Sequence, residues 1–398
     1  MKNIIFTWEL GGGSGHISEM MPLAKKFDDQ QYHVSLLLKD VIVCNLSRLG
    51  NMKIFQSPLW LSETRGFPEP AISFSETLLR FGYHDPIYLH RMVLLWINTL
   101  KALKADIVIA TFSPTAMLAA RILRLPVFTL GTGYYVPPHI YPLPLLSSST
   151  KAPPHRLEEA DDKVTSVINE ILHFYDMPPI PHLTGLFEAK KHLFLTYPEI
   201  DHYDTRTKNP DQHIFLGPIL DLDFGEDVFW SELALKKIFV YLRPHNSHYK
   251  EIILALKTLP CEYIVCIPGI SSHERMELES NHGQVFSSPV KFRHLLKDCD
   301  LAIGYGGHGF TSCMLTYGVP QIMLPVFTEQ YILGLKMEAL GAGKMLTEKL
   351  EQTQYANVIS DILNNGSYKT SAMKVASKYT ASPEERLDRA FLEITSGM

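Results

Sequence analysis

Tyr305-Gly-Gly-His308-Gly-Phe-Thr-Ser-Cys-Met-Leu-Thr-Tyr-Gly318-Val-Pro320 is the stretch that decides how this chain folds. It follows a short apolar run, Asp300 to Ile303, so strand gives way to glycines and glycines to a helix. That order points free backbone N–H groups, and the positive end of a helix, at an anion. Gly306, Gly307 and Gly309 let a phosphate approach the backbone, and His308, Thr311 and Ser312 can add donors. The turn Gly318-Val-Pro320 leads into a second apolar strand, Gln321 to Pro325. Beyond it stands the acid–amide pair Glu329-Gln330, suited to the hydroxyls of a sugar.

The N-terminal half repeats the pattern. Ile4 to Thr7 is apolar and runs through Trp8-Glu9-Leu10 into Gly11-Gly-Gly13-Ser-Gly15-His16. A helical pattern from Ile17 to Phe27 and a strand from Val34 to Leu38 follow. Strand, glycine loop, helix and strand make a βαβ unit and imply a parallel sheet. Further strands are expected at Lys53 to Phe55, Ile107 to Ala110, Val127 to Leu130 and Leu193 to Thr196, with a helix from Thr115 to Leu123. Tyr88 to Leu100 is apolar and reads as a core helix, and residues 140–155, rich in Pro and Ser, as a loop. Polar, turn-rich sequence then separates the halves. The second begins with a strand from Ile238 to Leu242, a helix from Tyr249 to Thr258 and a strand from Tyr263 to Cys266.

Composition sets the bounds. The 398 residues are enough for two domains, and 46% apolar with 20% charged residues describes a globular chain. A net charge of −5 without a basic stripe argues against a nucleic-acid partner. Five scattered cysteines fit neither a zinc site nor a disulfide framework, so a cytoplasmic location is expected. Neither a signal peptide nor a transmembrane segment is expected.

The stretch from Tyr305 to Gly343 resembles the donor-binding signature of the GT-B nucleotide-sugar glycosyltransferases, in particular the branch with UDP-glycosyltransferases and macrolide glycosyltransferases. The glycines, Gly318-Val-Pro320, Pro325, Gln330 and Gly341-Ala-Gly343 match it, with Glu329 a near match. Gly15-His16 followed by Pro22-Leu23-Ala24 matches the first loop and helix of the same family. The resemblance implies an α/β fold of GT-B type, with two Rossmann-like domains facing across a cleft. The domains expected are 1–215 for the acceptor and 216–380 for the nucleotide sugar, with 381–398 a helix that packs back on the first. The implied activity is transfer of a sugar, with inversion, from a nucleoside-diphosphate sugar to a hydroxyl of a small-molecule or lipid acceptor. Neither a metal nor a cofactor is expected beyond that co-substrate.

In the family the histidine matching His16 is the general base, a task that suits imidazole. Its usual carboxylate partner is replaced by Thr111; Glu9, Glu19 and Asp85 are other candidates for the acid. The resemblance assigns donor contacts to Gly13, Gly15, Arg243, Asn246, Pro289, Gly306, Gly307, His308, Gly309, Thr311, Glu329 and Gln330, and His245 is chemically suited to join them. Three positions depart from the pattern. Tyr305 replaces a histidine, Phe310 a hydroxyl residue and Cys313 a glutamate that binds ribose. These departures leave open a GT-B protein without transfer activity, acting as a ligand-binding or helper protein. A dinucleotide oxidoreductase is the less favoured reading: His16 stands where a third glycine would be needed, although Lys39-Asp40 could supply its acid. A GT-B epimerase would need carboxylates that sequence cannot bring together.

Overall fold

The computed structural model describes residues 2–398 except 14, 43, 45–48, 63, 148–149, 207–211, 245 and 281. The expected His245 contact therefore lies outside the described residues. The chain divides into two compact units, Met1–Ile219 with Pro383–Met398, and Leu220–Ser382.

In the first unit β1 (Asn3–Trp8) leads through the glycine loop to α1 (Gly15–Asp29), β2 (His33–Leu38) and β3 (Lys53–Gln56). Helices α2 (Phe74–Leu79) and α3 (Pro86–Ala102) precede β4 (Ile107–Thr111), α4 (Pro114–Ile122) and β5 (Val127–Gly131). The long α5 (Pro154–Phe174), β6 (Lys191–Phe194) and β7 (His213–Phe215) complete the sheet. All seven strands are parallel, in the order β3-β2-β1-β4-β5-β6-β7. The strands are nearly continuous apolar runs because both faces are covered. Phe6, Phe27, Leu36, Ile109, Phe128 and Leu193 lie in the core of one face.

The second unit contains β8 (Lys236–Tyr241), α6 (Tyr249–Leu256), β9 (Cys261–Cys266), α7 (Ser272–Leu278) and β10 (Gly283–Phe286). It continues with β11 (Leu301–Gly304), α8 (His308–Thr316), β12 (Gln321–Met323), α9 (Thr328–Ala339) and β13 (Gly343–Met345). Helices α10 (Gln352–Asn364) and α11 (Gly366–Ala376) follow, and α12 (Pro383–Thr395) belongs to the first unit. The sheet is again fully parallel, in the order β10-β9-β8-β11-β12-β13.

Four readings of the sequence need correction. β7 lies beyond Leu193 to Thr196, the last strand expected in its half, and β13 stands at Lys344, after which the chain is expected to turn to helices. Residues 154 and 155 open α5: Pro154, read as loop, is the proline of a helix's first turn. Helix α3 is core on one side only. It buries Leu89, Met92, Val93, Trp96, Ile97 and Leu100, whereas Ile87, Tyr88, Leu94 and Leu95 are exposed.

In each sheet the strand order reverses once, between β1 and β4 and between β8 and β11. Ligands of open α/β sheets bind at such switch points, beyond the carboxyl ends of the strands. Trp8 pairs with Thr111 at the first, and Gly304 with Tyr241 at the second.

Candidate functional site

At the first switch point the glycine loop leaves β1 and is pinned from its neighbours. The Ser57 hydroxyl donates to the Trp8 carbonyl at 2.8 Å, and the Leu10 amide donates to that of Phe112 at 2.9 Å. The Lys39 ammonium, just past β2, donates to the Gly11 carbonyl at 2.6 Å. Gly11 and Gly13 take φ of 77° and 81°, the left-handed region that glycine enters freely. Gly11 is also required for space: a Cβ there would lie 2.5 Å from Nε2 of His16.

Gly15 and His16 open α1. The His16 ring is 5% exposed and stacks on Trp8, with centroids 4.9 Å apart. Tyr135 and Phe112 close around it at 5.2 and 6.1 Å. Its Nδ1 is buried without a hydrogen-bond partner among the described residues. Burial, helped by the charge of Lys39, pushes its pKa down to about 3, so the ring is neutral at ordinary pH.

Thr111 is fully buried at the end of β4 and its hydroxyl also lacks a partner; no hydrogen bond joins it to His16. The carboxyl candidates do other work. Glu9 is buried and accepts from the Thr115 amide at 2.9 Å, in the first turn of α4. Burial raises its pKa to about 7 against the opposing pull of that helix end and of Lys39. Glu19 accepts from the Tyr135 hydroxyl at 3.4 Å, and Asp85 caps α3 through the amides of Ile87 and Tyr88. Asp40 accepts from the Ile42 amide, a turn contact.

Sequence reasoning missed the groups that hold the Tyr135 wall. Arg206 and Asp201 form a buried ion pair, and Arg206 donates at 2.8 Å to the carbonyls of both Gly133 and Val136. These contacts fix the turn Gly133–Tyr135 that brings Tyr135 to His16. Only the glycine at 133 hints at this: a Cβ there would lie 2.0 Å from the Asp201 carboxylate.

At the second switch point Gly304 and Tyr305 leave β11, Gly306 turns at φ 78°, and Gly307 is the N-cap of α8. The Thr311 amide is the first to reach a helix carbonyl, that of Gly307 at 2.9 Å. The amides before it, from His308, Gly309 and Phe310, have no carbonyl within the helix. Arg243, two residues past β8, lies over the Tyr305 ring at 5.5 Å and pairs with no carboxylate among the described residues. Gln330, in the first turn of α9, packs against the same turn: its Cβ is 3.3 Å from where a Gly306 Cβ would be. Its carboxamide oxygen accepts from the amides of Val326 and Phe327. Glu329 is the half-buried neighbour in that turn.

Gly306, Gly307, His308, Gly309, Arg243 and Gln330 thus gather at one strand edge. Thr311 is fully buried beneath α8. Asn246 is buried in the turn before α6, its side chain accepting from the His248 amide. The Pro289 carbonyl accepts from the Glu226 amide, tying down the segment that enters the unit. Phe310 and Cys313 point into the core, where Phe310 packs with Tyr241, Phe239 and Phe292. A hydroxyl or carboxylate at either position would be buried there.

Comparison with known proteins agrees with this architecture. Residues 250–386 match the family model of the erythromycin biosynthesis protein CIII-like C-terminal domain. Over 215 residues the chain is 21% identical to the UDP-glucosyltransferase avaP of Aspergillus versicolor, a match covering 51% of this chain and 47% of that protein. The chain therefore spans less than half the length of that curated relative. Among solved structures, the spinosyn rhamnosyltransferase SpnG complexed with thymidine diphosphate superposes with a TM-score of 0.64 at 15% identity, covering 99% of this chain and 100% of its own. The calicheamicin glycosyltransferase CalG4 gives 0.70 at 14% identity, over 100% and 98%.

Proposed function

We propose that this chain, GT-B in fold, is a glycosyltransferase that moves a sugar from a nucleoside-diphosphate sugar to a hydroxyl of a small-molecule or lipid acceptor. The observation that carries this reading is the amide-lined end of α8, with Gly306 and Gly307 before it and the unpaired Arg243 beside it. Such an end stabilises the charge that grows on a leaving diphosphate, and Arg243 adds a fixed positive charge. Glu329 and Gln330 take the sugar hydroxyls. In this scheme His16 removes the acceptor proton as the hydroxyl attacks the anomeric carbon from the face opposite the diphosphate, which inverts the configuration. Burial keeps His16 neutral at ordinary pH, and the same burial weakens it as a base until an acceptor changes its surroundings. Trp8, Phe112 and Tyr135 close around the ring, so in this scheme an acceptor reaches it as those side chains give way.

One observation favours a second reading, a GT-B protein that binds a ligand or assists a partner without transfer. His16 is buried, its Nδ1 has no partner, and no carboxylate is hydrogen-bonded to it to stabilise an imidazolium.

A thermal-shift screen against UDP, dTDP, GDP, their sugar conjugates and NAD(P) separates these readings, because a ligand of the native state raises the midpoint. Donor turnover is then followed in the native protein and in His16→Ala. The transferase reading expects the nucleotide shift to survive in the variant while turnover falls at least about 100-fold, as for a lost general base. A nucleotide shift with no turnover in either protein supports the second reading. A shift with NAD(P) alone overturns both.

A further inference from the structure

Helix α3 presents a second apolar face to solvent. Ile87 is 61% and Leu95 51% exposed, with Tyr88 and Leu94 beside them, on one continuous arc of the helix. The patch extends both ways. The Trp60 ring lies 5.3 Å from Tyr88, and Leu61, next in the chain, is 87% exposed. On the other flank the Phe174 ring lies 4.2 Å from His90 and is 64% exposed. A contiguous apolar surface of this kind marks an interaction site more often than chance.

The charge on the arc names the partner. Arg91 and Lys101 lie on it and Lys104 follows, all exposed. Residues 86–105 contain no acid. Of the carboxylates nearby in the chain, Asp85 caps the helix, Glu69 pairs with Arg80 and Asp106 accepts from the Asn3 amide, whereas Glu63 follows Leu61 by two residues and Glu170 and Asp176 flank Phe174. The arc carries cations and no carboxylate of its own, so pairing it with itself would bring like charge to like charge. No described helix is long and apolar enough to cross a membrane. Apolar side chains that sink into an acyl boundary, with cations and no carboxylate on the same helical arc, suit an anionic lipid surface.

We propose that the exposed face of α3, with Leu61 and Phe174, docks this protein on anionic membrane surfaces. The inference is independent of whether the protein transfers a sugar. Flotation with phosphatidylcholine vesicles, with and without 30 mol% phosphatidylglycerol, tests it on the full chain. Each basic side chain near an anionic surface strengthens partitioning about fivefold. The expected result is binding to the anionic vesicles at least tenfold above the neutral ones, weakened by added salt. Leu94→Glu/Leu95→Glu should lose that binding with an unchanged melting temperature, while Leu254→Glu, on α6 of the other unit, should keep it. The proposal fails if the native protein binds neither vesicle, or if the double variant binds as well as the native protein. It fails equally if the native protein is a dimer that the double variant dissociates, since the face would then be a self-interface.

Discussion

Three buried side chains in the first unit couple its stability to pH with opposite signs. His16 and His192 have folded-state pKa values near 3, below the 6.5 of an exposed histidine, because burial penalises the cation. The unfolded chain binds the proton first, so each histidine destabilises the fold as pH drops below about 6.5. Glu9 is raised from 4.5 to about 7, so the folded state keeps a proton that the unfolded chain releases. Its contribution is present below pH 4.5 and is lost as pH climbs to about 7. Between pH 4.5 and 6.5 the two histidines outweigh the one acid, and these three groups together raise stability by about 1.4 kcal/mol per pH unit. Glu9→Gln keeps an acceptor for the Thr115 amide and removes the opposing titration, so the slope in that window should rise by about 1.4 kcal/mol per pH unit. Chemical denaturation at a series of pH values measures it, and an unchanged slope would refute the assignment to Glu9.

Phe310 invites a different test. Phe310→Thr restores the hydroxyl that the family signature carries, but into the cluster of Tyr241, Phe239 and Phe292. The expected result is a loss of about 3–5 kcal/mol of stability with no gain in nucleotide affinity. At this scale the sequence was least legible. It marked His16 and Thr111 by position, yet nothing in their spacing tells that both would be buried without partners. Lys39 and Arg206 act on backbone carbonyls, and such contacts leave no motif.

The glycine turn between β11 and α8 shows what one element can carry. Gly306 has φ 78°, and a Cβ there would stand 3.2 Å from Met323 and 3.3 Å from Gln330. Gly306→Ala should cost about 1–2 kcal/mol for the left-handed backbone alone. It should also weaken binding of whichever nucleoside diphosphate the screen identifies by at least tenfold, measured by calorimetry. Retained affinity would move the diphosphate away from this turn. The strands of both sheets were legible because buried parallel strands are continuous apolar runs closed by glycine or proline. Two short edge strands were not, since three residues such as His213–Phe215 give periodicity too little to work on. Helix α3 misled because apolar residues also stand among the polar ones on its outer face, and only the structure tells the core side from the solvent side.

Two switch points, one per unit, were foreseeable from the repeated strand–glycine–helix pattern, and the family resemblance supplied the name of the fold. The terminal helix α12 belongs to the first unit. There α12 buries Ala390 and Ile394, sets Phe391 against Phe27 at 4.8 Å, and ties Lys26 to Asp388 and Lys191 to Glu393. Buried Arg386 donates to the Pro218 carbonyl at 3.2 Å. Removing residues 383–398 should cost about 4–8 kcal/mol, from the burial of two or three apolar side chains. That is comparable with the whole stability of a domain. The expected outcome is a first unit that is unfolded or protease-sensitive while residues 220–382 keep their protection in hydrogen exchange; equal protection of both units would show that α12 is dispensable.

That arrangement also has a consequence for synthesis. The first unit is interrupted, and its closing helix leaves the ribosome only after the roughly 160 residues of the second unit, a delay of about 10–30 s at ordinary elongation rates. Throughout that interval the α1 face around Phe27 waits uncovered, and the second unit has all of its chain before α12 emerges. A nascent polypeptide of this protein should therefore complete its second half before its first, and Phe27 and its neighbours are where a chaperone would find it.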